Sequence, residues 1–160
     1  MFPLSARPAP HRSPGFTLIE LLLVVGLLGV LVAIALPMYQ NHQERIRQSQ
    51  AIQDILVLQT LIREYQRDNG RHPDTLDEVG NAGRTDPWGR PYVYQELESV
   101  AGKGRARKDR KLNPLNSDFD LYSLGKDGLS RTQLTNKDSL DDIVRANDGT
   151  YVGLAANYTR

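Results

Sequence analysis

Apolar residues are concentrated in one block near the start of the chain. Residues 16–36 are almost entirely apolar, and Glu20 is the one charged residue among them. At about 1.5 Å per residue, such a run forms a helix of about 31 Å, which is long enough to cross the hydrocarbon core of a bilayer. The pattern therefore predicts a transmembrane helix over residues 16–37.

The segment before this block has a different composition. Residues 1–14 contain four prolines and two arginines but no acidic residue, and prolines at that density prevent a regular helix. Arginines ahead of the span favour a cytoplasmic N-terminus, so everything after Pro37 is expected on the opposite side of the membrane. A secretory signal peptide cut near Ala33 is the alternative, but the apolar run is longer than such peptides usually have.

A second helical pattern follows the apolar block and continues to about Asp68. Apolar residues recur at spacings of three and four and so share one face: Ala51, Ile55, Leu58, Ile62 and Tyr65. The other face is polar and suits water or neighbouring subunits: Arg47, Gln50, Asp54, Arg63 and Arg67. Gly70 marks the end of this helix, because glycine readily adopts the left-handed conformation. Residues 38–69 are therefore predicted to form a stem helix beyond the membrane.

Residues 70–160 contain frequent prolines and glycines and are predicted to form a small globular head. Residues 74–77 are expected to open a short capped helix. Residues 86–92 predict a turn into a strand with Tyr92 and Tyr94 on one face, and Trp88 and the tyrosines are expected in the core. Phe119 and Leu121 alternate with aspartates in a second strand. A helix ahead of a small antiparallel sheet is an α+β arrangement, and residues 148–160 are expected to pack back on the head.

Several chemistries are disfavoured by composition. The chain has no cysteine, a formal net charge of +1 and three scattered histidines, and it has neither a nucleophile paired with a base nor a glycine-rich phosphate loop. We therefore expect a protein that is not an enzyme. Residues 103–111 carry six basic side chains and are expected to form a solvated loop. Contact with anionic lipid or nucleic acid is the alternative, although nucleic-acid binding is disfavoured because the run lacks aromatic residues for base stacking.

Glu20 requires a separate explanation. A carboxylate in an apolar helix is unfavourable unless it is paired, reaches the membrane surface or is protonated. The apolar block contains no basic residue, so a partner from another chain is expected.

The residues around Glu20 carry a family resemblance. Residues 15–22, Gly-Phe-Thr-Leu-Ile-Glu-Leu-Leu, resemble the class III signal of type IV pilins and pseudopilins. The resemblance implies that residues 1–15 are a leader, that a prepilin peptidase cuts between Gly15 and Phe16, and that it methylates the new N-terminus of Phe16. It also implies that Glu20 guides assembly, because the Phe16 ammonium of a neighbouring subunit neutralises it and sets the register between helices.

Three further segments, residues 67–73, 86–92 and 119–128, resemble the major pseudopilins of type II secretion systems. The resemblance implies a type IV pilin-like fold, in which a long N-terminal helix packs on a small antiparallel sheet with a C-terminal calcium loop. Calcium takes six to eight oxygen ligands. By resemblance these include carboxylates of Asp127, Asp141 and Asp142 and main-chain carbonyls of Leu124 and Ser139. A plain turn at residues 127–128 and a solvated helix start at residues 141–142 are the alternative.

The function implied by the resemblance is structural. The subunit is expected to polymerise with itself and with minor pseudopilins into a short periplasmic pseudopilus that drives protein export. Prepilin peptidase, an inner-membrane assembly platform and its cytoplasmic ATPase are the other implied partners. The unassembled subunit is expected to cross the bacterial inner membrane once, with its C-terminal head in the periplasm. Two alternatives remain: a type IV pilus pilin acting in adhesion, motility or DNA uptake, and an anchored calcium-binding domain that never polymerises.

Overall fold

The computed structural model describes residues 15–98 and 105–159. Residues 1–14 of the predicted leader (residues 1–15) and the start of the basic run, Lys103 and Gly104, lie outside the described residues. The chain divides into two compact units, Met1–Asn41 and His42–Arg160.

One helix, α1, accounts for the predicted membrane and stem segments together. It runs over Leu18–Asn69 and contains Pro37. It ends as the sequence predicts, since Gly70 follows it with a φ of 72°, a conformation that glycine adopts without strain. The helix contains an apolar window that is long enough to cross a membrane, and none of this window is buried. The predicted membrane helix is therefore present as a candidate span.

The head contains a four-stranded antiparallel sheet in which each strand pairs with the next along the chain. The strands are β1 (Val93–Glu96), β2 (Phe119–Ser123), β3 (Ile143–Ala146) and β4 (Tyr151–Leu154). The two predicted strands correspond to β1 and β2. The C-terminal segment, which was expected to pack back on the head, does so through strand β4. The predicted short helix is a 3-10 helix over Leu76–Val79, where Thr75 occupies the cap position without a side-chain hydrogen bond.

One face of the sheet packs against the stem part of α1. Four of the five residues predicted to share that helix face, Ala51, Ile55, Leu58 and Ile62, are fully buried, while Tyr65 is half-buried. They contact four buried residues that lie on the sheet or directly before it: Tyr92, Phe119, Leu121 and Ile143. Tyr94 and Trp88 pack at the edge of the same cluster. The helix spacing and the strand alternation therefore build one core, as the pattern indicated.

The opposite face of the sheet is covered as well. Val144 and Ala146 point away from α1 and join a second buried cluster with Leu115, Leu134 and Ala155. These three residues come from the segments between strands and from the end of the chain. The head therefore has three layers, with α1, the sheet and a layer of loops in succession.

The polar face of the stem was predicted only in part. Asp54 was expected to face water or neighbouring subunits, but its carboxylate binds Arg84 and accepts a hydrogen bond of 2.8 Å from the Tyr92 hydroxyl. Arg63 donates to the main-chain carbonyl of Asp148 at 2.7 Å. The helix spacing places these side chains beside the buried stripe, where loops of the head reach them.

We expect Leu58→Ala to lower the free energy of unfolding by about 2–5 kcal/mol, because it removes buried methyl groups and leaves a cavity. Leu56→Ala is the matched control, since Leu56 lies on the same helix and is 37% exposed, and its effect should stay within about 0.5 kcal/mol. Urea denaturation of the full chain in detergent, followed by fluorescence of Trp88, measures both. Equal effects of the two substitutions would contradict the assigned core.

Candidate functional site

Glu20 and Thr17 form a reciprocal hydrogen-bonded pair at the start of α1. The Glu20 carboxylate accepts hydrogen bonds from the main-chain N–H of Thr17 at 2.9 Å and from its hydroxyl at 2.8 Å. The Glu20 N–H donates back to the Thr17 hydroxyl oxygen at 3.3 Å. This arrangement is a capping box, in which two N–H groups at a helix start are satisfied by side chains.

The capping box changes the expectation that Glu20 depends on another chain for a partner. Its carboxylate already has two donors within its own chain, although both donors are neutral groups. Gly15 and Phe16 lie immediately before the helix and are exposed. Cleavage between them, methylation of Phe16 and the assembly role of Glu20 stay predictions.

The residues predicted to hold calcium lie in two turns that contact each other. In the first turn, the Leu124 carbonyl accepts from the N–H of Gly128 at 3.2 Å, and the Asp127 carboxylate accepts from the N–H of Leu129 at 2.7 Å. The Asp127 N–H donates to the Asp141 carboxylate at 2.9 Å, which joins this turn to the second.

A glycine makes this contact between the turns possible. Gly125 has a φ of 63°, and a side-chain Cβ at this position would lie 2.3 Å from the main-chain oxygen of Asp141. Any other residue would therefore push the turns apart. In the second turn, the Ser139 carbonyl accepts from the Asp142 N–H at 3.3 Å.

Asp142 points away from the other predicted ligands and into the head. Its carboxylate oxygen Oδ2 accepts from Arg107 at 2.6 Å and from the Ser130 hydroxyl at 2.6 Å. The two side chains of this ion pair are 3% and 0% exposed. Burial raises the pKa of Asp142 to about 6, and the positive charge of Arg107 opposes that rise.

These residues fit a calcium ion poorly. Within residues 15–98 and 105–159, no group of three or more His, Cys, Asp or Glu side chains could hold a metal ion. Asp127 and Asp141 lie next to each other, but the carboxylate of Asp142 is directed to an arginine. Calcium binding stays a prediction of the family resemblance.

Residues 86–92 fold as a turn that contacts the first of the two turns predicted to hold calcium. Asp86 accepts from the N–H groups of Trp88 at 3.0 Å and Arg90 at 2.9 Å. Arg90 in turn donates to the carbonyls of Gly125 and Lys126. The motif thus places a guanidinium against main-chain oxygens of the first turn.

A second buried arginine, Arg145 on β3, ties the helix to the sheet. It donates to Gln59 on α1 at 2.7 Å and forms two bonds to the Asp118 carboxylate, at 2.7 and 2.6 Å. Its guanidinium also lies 3.9 Å from the centre of the Phe119 ring. Burial raises the pKa of Asp118, but hydrogen bonds and the charge of Arg145 outweigh that effect and hold the pKa below its ordinary value.

The interpretation of the basic run is partly wrong in the residues that the structure describes. Residues 105–111 form a loop whose Arg105, Arg110 and Lys111 are exposed as expected, but Ala106 and Arg107 are buried. The main-chain N–H of Arg107 donates to Asp120 at 2.6 Å, which fixes this segment on β2. The sequence contains one signal for the burial of Arg107. Asp120 lies in β2 and Asp142 directly before β3, and an acid that is buried there needs a cation as its partner.

The chain is similar to proteins of known role. The prokaryotic N-terminal methylation motif matches residues 10–36. The chain is 30% identical over 133 residues to the type II secretion system core protein G of Pectobacterium carotovorum subsp. carotovorum, which covers 77% of this chain and 82% of that protein. It is 28% identical over 143 residues to core protein G of Aeromonas hydrophila, with 76% and 89% covered.

A pilin is also similar over a shorter stretch. The type IV major pilin protein PilA of Myxococcus xanthus is 39% identical over 96 residues, which cover 60% of this chain and 42% of that pilin. No solved structure matches the chain significantly.

We expect Thr17→Val to loosen the start of α1 while Thr17→Ser leaves it intact. Valine keeps the branched shape but removes the hydroxyl, and the loss of such a cap costs about 0.5–2 kcal/mol. Amide exchange at residues 18–21 should therefore rise by about two- to thirty-fold. Hydrogen–deuterium exchange of the full chain in detergent measures this, and equal exchange in both variants would contradict the capping box.

We expect the Arg145–Asp118 pair to stabilise the head only while Asp118 is ionised. The folded pKa of Asp118 is lowered, so its contribution is present above the unfolded value of about 3.9 and is lost as the pH falls through the folded value. Asp118→Asn should lower the Tm at neutral pH and flatten its fall in acid. Asp68→Asn is the control, because that side chain is 72% exposed, and an identical acid profile for all three proteins would contradict the prediction.

Proposed function

The chain belongs to the family of the type II secretion system core protein G, and we propose that it is a structural pseudopilin subunit. In this role it polymerises into a short periplasmic pseudopilus that drives protein export through the outer membrane by type II secretion. The observation that carries the proposal is the 30% identity over 133 residues, which spans 82% of the Pectobacterium protein. A match of that length extends far beyond the N-terminal motif at residues 10–36.

The surface of α1 supports this role. Large apolar side chains from Leu18 to Leu36 are exposed, so this stretch is suited to lipid or to another apolar helix. Gly26 and Gly29 have open space where a side chain would be, and such positions let helices approach closely. The same surface would therefore anchor the subunit and form the filament core after it leaves the membrane.

The N-terminal motif supplies the assembly signal in this proposal. Cutting between Gly15 and Phe16 would leave the capping box intact, because the N–H of Thr17 belongs to the Phe16–Thr17 peptide bond. The new ammonium of Phe16, once methylated, would bring a positive charge to Glu20 of a neighbouring subunit. Opposite charges attract strongly where water is excluded, and this pairing would set the register between helices.

The family role implies the remaining partners and the topology. The leader would face the cytoplasm, where a prepilin peptidase processes it, and the head would lie in the periplasm after a single crossing of the inner membrane. An assembly platform and its cytoplasmic ATPase would supply the energy, and minor pseudopilins would join the filament. The subunit itself would contribute geometry and no catalytic residue.

A type IV pilus pilin is the second candidate, favoured by the similarity to the Myxococcus pilin. Two complementation assays distinguish the candidates. In a strain that lacks its own core protein G, the chain should restore export of secreted enzymes to the medium. In a strain that lacks its own major pilin, it should restore neither twitching nor DNA uptake. The reverse result would replace the proposed function with the pilin role.

We expect Glu20→Ala to leave membrane insertion and cleavage intact but to stop filament assembly. Glu20→Gln should also fail, because an amide keeps hydrogen-bonding groups near Thr17 but carries no charge for the Phe16 ammonium. Glu64→Ala is the control, since Glu64 is an exposed acid on the same helix. Shearing of cells followed by immunoblotting measures assembly, and normal filaments from Glu20→Gln would contradict charge pairing.

A further inference from the structure

The buried ion pair between Arg107 and Asp142 lies where the family resemblance places a metal ligand. Arg107 is anchored on β2 by its main-chain N–H, which donates to Asp120 at 2.6 Å. Its side chain crosses the ring of Tyr122 with 4.1 Å between the guanidinium carbon and the ring centre. The guanidinium then meets Asp142 and also donates to Ser130 at 2.9 Å. Ser130 donates to the same oxygen of Asp142, so the three side chains form a closed network.

Two atoms of this pair are buried without a hydrogen-bond partner among the described residues: Nε of Arg107 and Oδ1 of Asp142. An orphaned carboxylate oxygen could be interpreted as a vacant position for a cation. However, the orphaned donor belongs to the same ion pair. A guanidinium can bind a carboxylate side-on through two parallel N–H···O bonds. Here the first bond joins Arg107 to Oδ2, and Nε and Oδ1 are the atoms that would make the second. The two orphans therefore complement each other.

Two more arginines line the two turns. The Arg90 guanidinium donates to the carbonyls of Gly125 and Lys126, and the neutral main-chain N–H of Arg131 donates to the Ser139 hydroxyl at 2.8 Å. The Arg131 side chain pairs with Asp138 at 3.3 Å. A divalent cation at this place would lie near fixed positive charges and would gain few free oxygens, whereas calcium requires six to eight.

We propose that the guanidinium of Arg107 takes over, at Asp142, the stabilising role that a calcium ion has in the family the chain resembles. The head of this protein then folds and stays folded without calcium. Arg107 comes from the basic segment at residues 103–111, so this segment supplies the cation that replaces the metal. The proposal does not rest on the secretion role, because it concerns only what neutralises a buried carboxylate.

Thermal melts of the full chain in detergent test this proposal through the fluorescence of Trp88. The wild-type Tm is expected to be the same in millimolar calcium and in excess chelator. Arg107→Ala should lower the Tm by about 10 °C or more, because it leaves Asp142 buried and unpaired. Arg110→Ala is the matched control, since Arg110 belongs to the same basic segment and is exposed, and its Tm should match the wild type.

A double variant keeps the test decisive if Arg107→Ala fails to fold. Arg107→Met with Asp142→Leu removes both charges and replaces them with apolar groups, which is often neutral or stabilising for a buried pair. It should fold and melt above Arg107→Ala, with no response to calcium. A wild-type Tm that falls by several degrees on chelation would overturn the proposal. An unchanged Tm in Arg107→Ala would overturn it as well, because the ion pair would then stabilise nothing.

Discussion

Helix α1 has an exposed apolar part and a stem part with one buried stripe, and the head supplies the residues that cover this stripe. Its first part is apolar on all sides and exposed, which suits lipid or other apolar helices. Its stem part buries a single stripe that includes Ile55 and Leu58 and leaves the other side polar. The head supplies what this stripe needs, because β2 and β3 present Phe119, Leu121 and Ile143 to it. A membrane anchor and the core of a small domain are therefore combined in one helix.

Buried ion pairs stabilise the head in addition to its apolar core. Arg145 and Arg107 lie over aromatic rings of β2, and each forms an ion pair with an aspartate. A planar guanidinium suits this use, because it stacks on rings and binds carboxylates at the same time. Breaking such a pair leaves a buried charge, which is strongly destabilising. The Arg107–Asp142 pair thus holds a loop on the outer face of the sheet, and Arg145 ties α1 to the sheet, in a chain that has no cysteine to form a disulfide.

The sequence predicted the local features of the fold better than the distant ones. Spacing alone located the buried stripe of α1, and glycine chemistry located its end at Gly70. Strands β3 and β4 were not predicted as strands, because Asp141 and Asp142, directly before β3, had been interpreted as ligands and residues 148–160 indicated only a return to the head. The role of Arg107 was missed because its partner Asp142 lies 35 residues away. The contact of Arg145 with Gln59 spans 86 residues, and no local pattern encodes such a pair.

In the proposed filament, α1 of one subunit packs on α1 of the next, and the Glu20 carboxylate pairs with a positive charge across that contact. Electron cryo-microscopy of filaments sheared from cells tests this most directly, since it places every subunit in one map. We predict a core of apolar helices in which the Phe16 amine of one subunit lies within hydrogen-bonding distance of the Glu20 carboxylate of its neighbour. Filaments in which the helices are separated, or in which Glu20 contacts only Thr17 of its own chain, would contradict this arrangement.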